Sequence, residues 1–250
     1  MTWLITGLGG TLGPVLKARL EGQGISVAGW DRTSHPPDNP EAARRRVEEV
    51  SPDVIAHLAL GDPAWAGQLA RLARERGCVM LYTSSVSVFG GRQRGPFSIQ
   101  DRPEPEDDYG RYKLQCEDRI LAANPAARVA RIGWQIGMRP GGNHMVDFLA
   151  REMAAKGHID ASRRWFQACS FLEDTADTLI TLARSGGGGV HHLDGNPGLS
   201  FLEIVQGLKH ILRAEWAIRS NDVPDLDNRL RDDRARVKSI TDRPGWPRPA

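Results

Sequence analysis

Thr6-Gly7-Leu8-Gly9-Gly10-Thr11-Leu12-Gly13 is the stretch on which the fold turns. It follows a short apolar run, Trp3–Thr6, that reads as a strand. It opens a segment, Leu12–Glu21, in which Leu12, Val15, Leu16 and Leu20 recur at helical spacing, with Pro14 tolerable in a first turn. Gly7, Gly10 and Gly13 make a G-x-x-G-x-x-G pattern. In a strand–turn–helix unit one glycine permits the tight turn. A second lets the backbone approach a pyrophosphate, and a third lets the helix close on the sheet. Free N–H groups and the helix dipole then favour an anion. The octet predicts a dinucleotide site contacted by Gly7, Gly9, Gly10, Thr11, Leu12 and Gly13. The competing reading is a glycine turn that only packs.

Outward from this turn, strand-like and helix-like segments alternate. Ile25–Trp30, Asp53–Leu58, Cys78–Tyr82 and Arg128–Ile132 read as strands. Glu41–Val50, Pro63–Glu75 and Asp108–Ala122 read as helices. This order predicts an α/β fold, a doubly wound parallel sheet of the Rossmann kind, with a small C-terminal substrate-binding portion. Residues 1–137 are expected to form the dinucleotide-binding core. Residues 138–250 are expected to be mixed, partly returning to the core and partly forming the substrate region. There, Val146–Lys156, Leu172–Arg184 and Leu202–Leu212 look helical, and Val190–Leu193 and Trp216–Ile218 look like short strands. Gly186–Gly189 reads as a loop, and the tail from Asp222 as an extended arm or loose cap.

Asp31 is expected at the tip of the second strand, where a carboxylate accepts the adenosine ribose hydroxyls and favours NAD. Its bland alternative is a loop cap before Ser34. Arg32 follows and suits a 2′-phosphate, which favours NADP. The balance leans to NAD. Farther on, Tyr109 and Lys113 stand four apart in a helix-like segment and share a face. An ammonium there is expected to lower the phenol pKa and ready it for proton transfer at a carbonyl or alcohol oxygen. Tyr112 faces elsewhere. The fourth strand runs into Thr83-Ser84-Ser85-Val86-Ser87, and hydroxyls at that end of a parallel strand face the ligand crevice. Ser84, Ser85 and Ser87 are each candidates for the hydroxyl that holds the reacting oxygen.

The 250 residues carry a net charge of +2, which calls for neither nucleic acid nor membrane as partner. Arg44-Arg45-Arg46 beside Glu48 and Glu49 reads as a solvated helix face. The 3 cysteines have no metal or disulfide spacing and suit a reducing cytoplasm; no metal is expected. The N-terminus reads as a strand and not as a leader, and no apolar run is long enough to span a bilayer.

Four blocks resemble the short-chain dehydrogenase/reductase superfamily, in its extended branch of nucleotide-sugar epimerases, dehydratases and reductases. They are Thr6-Gly7-x-x-Gly10-x-x-Gly13, Asp53–Ala59, Thr83-Ser84-Ser85-x-x-Val88-Phe89-Gly90 and Tyr109-Gly110-x-x-Lys113-x-x-x-Glu117. The resemblance implies Ser85, Tyr109 and Lys113 as the catalytic set. It also implies Leu58, Ala59 and Thr83 as further neighbours of the dinucleotide, with Lys113 on the nicotinamide ribose. A thinner likeness to dTDP-4-dehydrorhamnose reductases runs through Arg131–Gly137, Gly142-Asn143-x-Met145-Val146 and Asn228-Arg229-Leu230. It implies that Trp134 and Asn143 face the substrate, beside Ser87; core packing is the alternative for Trp134. Arg163 and Arg164 suit a substrate diphosphate, or else are solvated loop charges. The chain departs from that group around Arg164–Ser170 and has a trimmed C-terminal portion. The implied activity is an NAD(P)-dependent oxidoreductase acting on a keto or hydroxyl carbon of a nucleotide-linked sugar or a related small metabolite. The alternatives are an epimerase, or a dinucleotide-binding regulatory or sensor protein without turnover. Val86 and Ser87 stand where a dehydratase would carry acidic residues. The superfamily analogy also implies a homodimer.

Overall fold

Trp3, Leu4 and Ile5 are all fully buried, yet Trp3 and Ile5 join one apolar cluster and Leu4 another. A strand buried on both faces belongs inside a parallel sheet covered by helices on both sides. The computed structural model describes residues 1–139, 141–184 and 187–247. The chain begins with β1 (Thr2–Thr6), α1 (Gly13–Glu21), β2 (Ser26–Gly29), α2 (Pro40–Val50), β3 (Val54–His57), α3 (Pro63–Arg76) and β4 (Val79–Ser85). A 3-10 turn at Val86–Val88, β5 (Phe97–Ser98), α4 (Asp108–Ala123) and β6 (Arg128–Ile132) follow. Next come β7 (Trp134–Ile136), α5 (Met145–Lys156), β8 (Ile159–Ser162), β9 (Trp165–Phe166), β10 (Cys169–Phe171) and α6 (Leu172–Arg184). The chain ends with β11 (Gly189–Leu193), α7 (Phe201–Leu212), β12 (Ile218–Asn221), β13 (Leu226–Asp227) and β14 (Leu230–Arg231).

The central sheet has the order β11-β6-β4-β3-β1-β2, with every pairing parallel. From β1 the chain steps outward to β2, then crosses back to β3 on the other side of β1. Ligands bind outside the carboxyl ends of the strands at such a reversal. The turn after β1 and the loop after β3 therefore meet there. One face of the sheet is covered by α1 and α6, through Leu16, Leu20, Ala176 and Leu179. The other is covered by α2, α3 and α4, through Val47, Trp65, Leu69 and Ile120. A separate apolar cluster, including Ile136, Leu149, Ile159, Phe171, Phe201 and Leu208, builds the second layer from later residues.

Several expectations are corrected. β2 ends at Gly29, so Asp31 lies two residues beyond the strand, in a turn. β4 runs on to Ser85, because Thr83, Ser84 and Ser85 keep their pairing with Ala130, Arg131 and Ile132. The tail is extended but not loose: β12 pairs with β8, β13 with β9 and β14 with β5. Gly189 starts β11, and Gly186 lies outside the described residues. Among the described residues no helix is long and apolar enough to cross a membrane, and no group of His, Cys, Asp and Glu is placed to hold a metal.

Candidate active site

The glycine turn is shaped for a ligand that needs backbone contact. Gly7 has a φ of +79°, and its carbonyl accepts the Gly10 N–H at 3.0 Å. A Cβ on Gly13 would lie 2.4 Å from the Gly7 oxygen, and one on Gly7 would lie 2.9 Å from the Ala59 nitrogen. No side chain larger than hydrogen fits at either place. Helices α2, α3, α4, α5 and α7 start under the side chains of Asn39, Asp62, Asp107, His144 and Ser200. Helix α1 starts behind Leu12 with no side-chain cap, which leaves first-turn N–H groups for an anion. The residues present fit a dinucleotide pyrophosphate. A cleft of about 550 Å³ adjoins the turn, between Gly9, Gly10 and Thr11 on one side and Arg139 and Asn143 on the other. The Asn143 N–H donates to Thr11 Oγ1 at 3.0 Å. Asn143 is thus tied to the glycine turn and lines this cleft.

Beyond β2, Asp31 is exposed and serves as a turn cap. Its carboxylate accepts the Thr33 N–H at 2.9 Å and the Ser34 hydroxyl at 2.7 Å, and the Ser34 bond leads in holding its pKa below the usual range. Arg32 folds back across the loop after β3. It donates to the Leu60 carbonyl and lies 5.2 Å from the centre of the Trp65 ring.

The three residues of the expected catalytic set converge at the carboxyl end of β4. Lys113 is buried, and its Nζ donates to the Thr83 carbonyl at 2.9 Å. Ser85 Oγ accepts the Ser87 N–H at 3.1 Å and donates to Ser87 Oγ at 3.1 Å. Ser84 turns the other way, toward the carboxylate of Glu117. The strand alternation thus turns Ser85, and not Ser84, toward Tyr109, and the 3-10 turn brings Ser87 Oγ back to Ser85. Although 45% of Tyr109 is exposed, its hydroxyl end is crowded by protein, and this burial raises its pKa. The nearby Ser85 hydroxyl pulls the other way. The expected lowering by Lys113 does not occur. The ammonium is directed at Thr83 and stands 5.7 Å from the Tyr109 ring centre, while burial pushes its own pKa down to about 8. Tyr112 points away, its hydroxyl accepting the Gly61 N–H at 3.0 Å.

On the substrate side, Trp134 packs against Phe148 at 5.1 Å and Phe201 at 6.1 Å between ring centres. It is half-buried against the separate apolar cluster of the second layer, with Trp165 beside it. Arg164 pairs with Asp225, and Arg163 with Asp222 at 3.0 Å. Both arginines are therefore engaged with the C-terminal arm and are not gathered at the crevice.

Residues 63–225 match the model of the RmlD substrate binding domain, more than half of the chain. The chain belongs to the RmlD substrate binding domain family. It is 28% identical over 235 residues to a probable dTDP-4,6-dihydroxy-2-methyloxan-3-one 4-ketoreductase of Streptomyces antibioticus, covering 86% of this chain and 78% of that one. In fold it is similar to a dTDP-4-dehydrorhamnose reductase from Clostridium acetobutylicum, with a TM-score of 0.82, 17% identity and coverage of 97% and 96%. It is also similar to a dTDP-4-dehydrorhamnose reductase from Bacillus anthracis in complex with NADP, with a TM-score of 0.77, 19% identity and coverage of 89% and 84%.

In this RmlD-family chain two features of the site went unassigned in the sequence. Gly110 permits the contact between α4 and the turn after β4. Glu117, one turn beyond Lys113, forms a buried ion pair with Arg131 at 2.7 Å. Both stand in the Tyr109–Glu117 block, but nothing in the spacing tells what either one touches.

Proposed function

We propose that this chain is an NAD(P)H-dependent reductase of a keto carbon on a nucleotide-linked sugar. The observation that carries the reading is the meeting of Ser85, Tyr109 and Lys113 at the end of β4, in the sheet whose neighbouring strand ends feed the glycine turn. When bound, the reduced nicotinamide supplies a hydride to the carbon. Tyr109 Oη gives its proton to the carbonyl oxygen, and Ser85 Oγ holds that oxygen by a hydrogen bond. The Lys113 ammonium, fixed by the Thr83 carbonyl, would bond the nicotinamide ribose and so orient the ring. Asp31 and Arg32, side by side at the ribose end, set the choice between NAD and NADP. The ketoreductase relative supports the substrate class, and the Bacillus anthracis reductase supports the cofactor class.

The test is oxidation of NADH or NADPH by the purified chain with dTDP-linked 4-keto-6-deoxy sugars. Turnover that disappears in Tyr109→Phe is the expected result. Tight dinucleotide binding with no turnover on any nucleotide-linked keto sugar would favour the regulatory reading instead. Sugar interconversion without net loss of reduced cofactor would favour an epimerase.

A further inference from the structure

The glycine turn carries no cation of its own. Gly7–Gly13 contains no Lys or Arg. The two cations of α1 are engaged elsewhere, Lys17 with Glu21 at 3.8 Å and Arg19 with Asp177 at 3.3 Å. The N–H groups and dipole at a helix start amount to about half a positive charge, whereas a dinucleotide pyrophosphate carries a negative charge on each phosphate. Across the cleft of about 550 Å³ stands Arg139, on the segment that leaves β7. Two other ionisable side chains line that cleft, and both have partners: Glu173 pairs with Arg243 at 3.2 Å, and His144 lies 3.1 Å from the Asp147 carboxylate. Arg139 is exposed, and among the described residues its guanidinium has no carboxylate or carbonyl partner. Its backbone, by contrast, is fixed. The Asp147 N–H donates to His144 Nδ1 at 3.3 Å, so the ring hydrogen sits on Nε2 and is given to the Arg139 carbonyl at 2.9 Å. The Gly141 N–H donates to Asp147 Oδ2 at 3.0 Å, and the Asn143 N–H ties the same segment to Thr11 of the turn at 3.0 Å.

We infer that Arg139 is a diphosphate-binding residue, the cation that faces the dinucleotide pyrophosphate from the wall opposite the glycine turn. The inference rests on the dinucleotide reading above. A guanidinium fork matches phosphate oxygens and bonds them in pairs. Turn and arginine divide the work: the N–H groups at the start of α1 take one side of the pyrophosphate, and Arg139 takes the other. The Rossmann core thus supplies the dipoles, and the segment after β7 supplies the charge. A substrate diphosphate has the same chemistry. The cleft that Arg139 lines is walled by Gly9, Gly10 and Thr11, which favours the cofactor as its occupant.

The experiment is calorimetric titration of the purified chain with NAD⁺, NADP⁺, ADP, adenosine and dTDP. In Arg139→Gln the dissociation constants for NAD⁺, NADP⁺ and ADP rise about tenfold, while those for adenosine and dTDP stay within about twofold of the parent. Salt separates charge from shape. The parent's affinity for NAD⁺ weakens between about 50 and about 500 mM KCl, and that of Arg139→Gln weakens less. Arg139→Lys keeps the parent's salt dependence. Because the side chain is exposed, each variant keeps the thermal midpoint of the parent. Parent-like affinity for NAD⁺ and ADP in Arg139→Gln overturns the proposal. So does an equal loss for adenosine, which points to a displaced segment and not to a lost charge. A loss for NADP⁺ alone puts the arginine on the 2′-phosphate, and a loss for dTDP alone puts it on the substrate; either overturns the proposal as well. Failure of the parent itself to bind any dinucleotide would instead overturn the reading on which the inference rests.

Discussion

A Cβ on Gly110 would stand 2.0 Å from the carbonyl oxygen of Ser87. The second residue of α4's Tyr-Gly-x-x-Lys block therefore rests directly on the turn after β4, and only glycine allows it. This contact sets how near Tyr109 comes to Ser85, and the next turn of α4 brings Lys113 to Thr83. Gly110→Ala is expected to lower kcat about 100-fold, the cost of displacing a catalytic group by about an ångström. Alanine favours a helix over glycine by about 1 kcal/mol, which offsets part of the overpacking cost of about 1–3 kcal/mol. Steady-state kinetics beside a urea titration will show a large activity loss with a small stability change.

Tyr109→Phe is expected to lower kcat/KM by about 10²–10⁴ while leaving dinucleotide affinity unchanged. The phenol oxygen is the only atom removed, and the contacts of Lys113 with Thr83 persist. Calorimetric affinity for the dinucleotide equal to that of the parent separates this outcome from a collapsed site.

Lys113 provides a pH signature. Its folded pKa of about 8 lies below the ordinary lysine value of 10.5. Between those values unfolding takes up a proton, so the lysine's contribution makes stability rise with pH, by at most about 1.4 kcal/mol per pH unit. Below about pH 8 both states hold the proton and the slope vanishes. The urea midpoint of the parent minus that of Lys113→Met should therefore climb from pH 8 to 10. In turnover, the sign reverses: loss of the ammonium removes the charged donor proposed to hold the nicotinamide ribose, so activity falls above about pH 8. Lys113→Arg moves that fall to higher pH.

Asp31→Ala should raise the ratio of NADP(H) to NAD(H) affinity about tenfold, since it removes a negative charge from the ribose end. Arg32→Ala should lower that ratio by a similar factor. Paired titrations with the two dinucleotides measure both. No change in either variant would remove these residues from the cofactor choice.

How much of this was legible in advance depended on the range of the interactions. The strand–turn–helix units of the first half carry their own periodicity, and the Tyr109–Lys113 spacing shows on any helix. The later strands carry no such signal. β9, β13 and β14 are two residues each and exist because distant segments pair, Leu226 with Trp165 and Leu230 with Phe97. Arg164 looked available for a diphosphate because its partner Asp225 comes from the returning arm. The electrostatics were hidden for a related reason. Whether Lys113 lowers the Tyr109 pKa depends on where the ammonium points, and Thr83 draws it to its own carbonyl. Arg139 was visible as a residue, but its place across from the glycine turn is a property of the fold.

The buried pair behind the site makes the sharpest stability prediction. Arg131 meets the Glu117 carboxylate through Nε at 3.0 Å and Nη2 at 2.7 Å, and its Nη1 lies 3.3 Å from His192 Nε2. His192 Nδ1 faces the Phe97 carbonyl at 3.0 Å, so Nδ1 carries the hydrogen and Nε2 accepts from Arg131. Glu117→Gln alone strands a buried guanidinium and is expected to cost about 3–5 kcal/mol. Adding Arg131→Met removes the stranded charge, while the amide oxygen of the glutamine still accepts from Ser84. The double variant is therefore expected to be more stable than Glu117→Gln. Acid sensitivity tests the same wiring. Burial and the Arg131 charge push the His192 pKa down to about 4, so between about 6.5 and 4 unfolding takes up a proton and stability falls as the pH falls. Arg131→Met removes the repelling charge and lets His192 hold a proton in the folded state. Its loss of stability between pH 6.5 and 4 should be smaller than that of the parent. An identical acid profile in the two proteins would detach His192 from the ion pair.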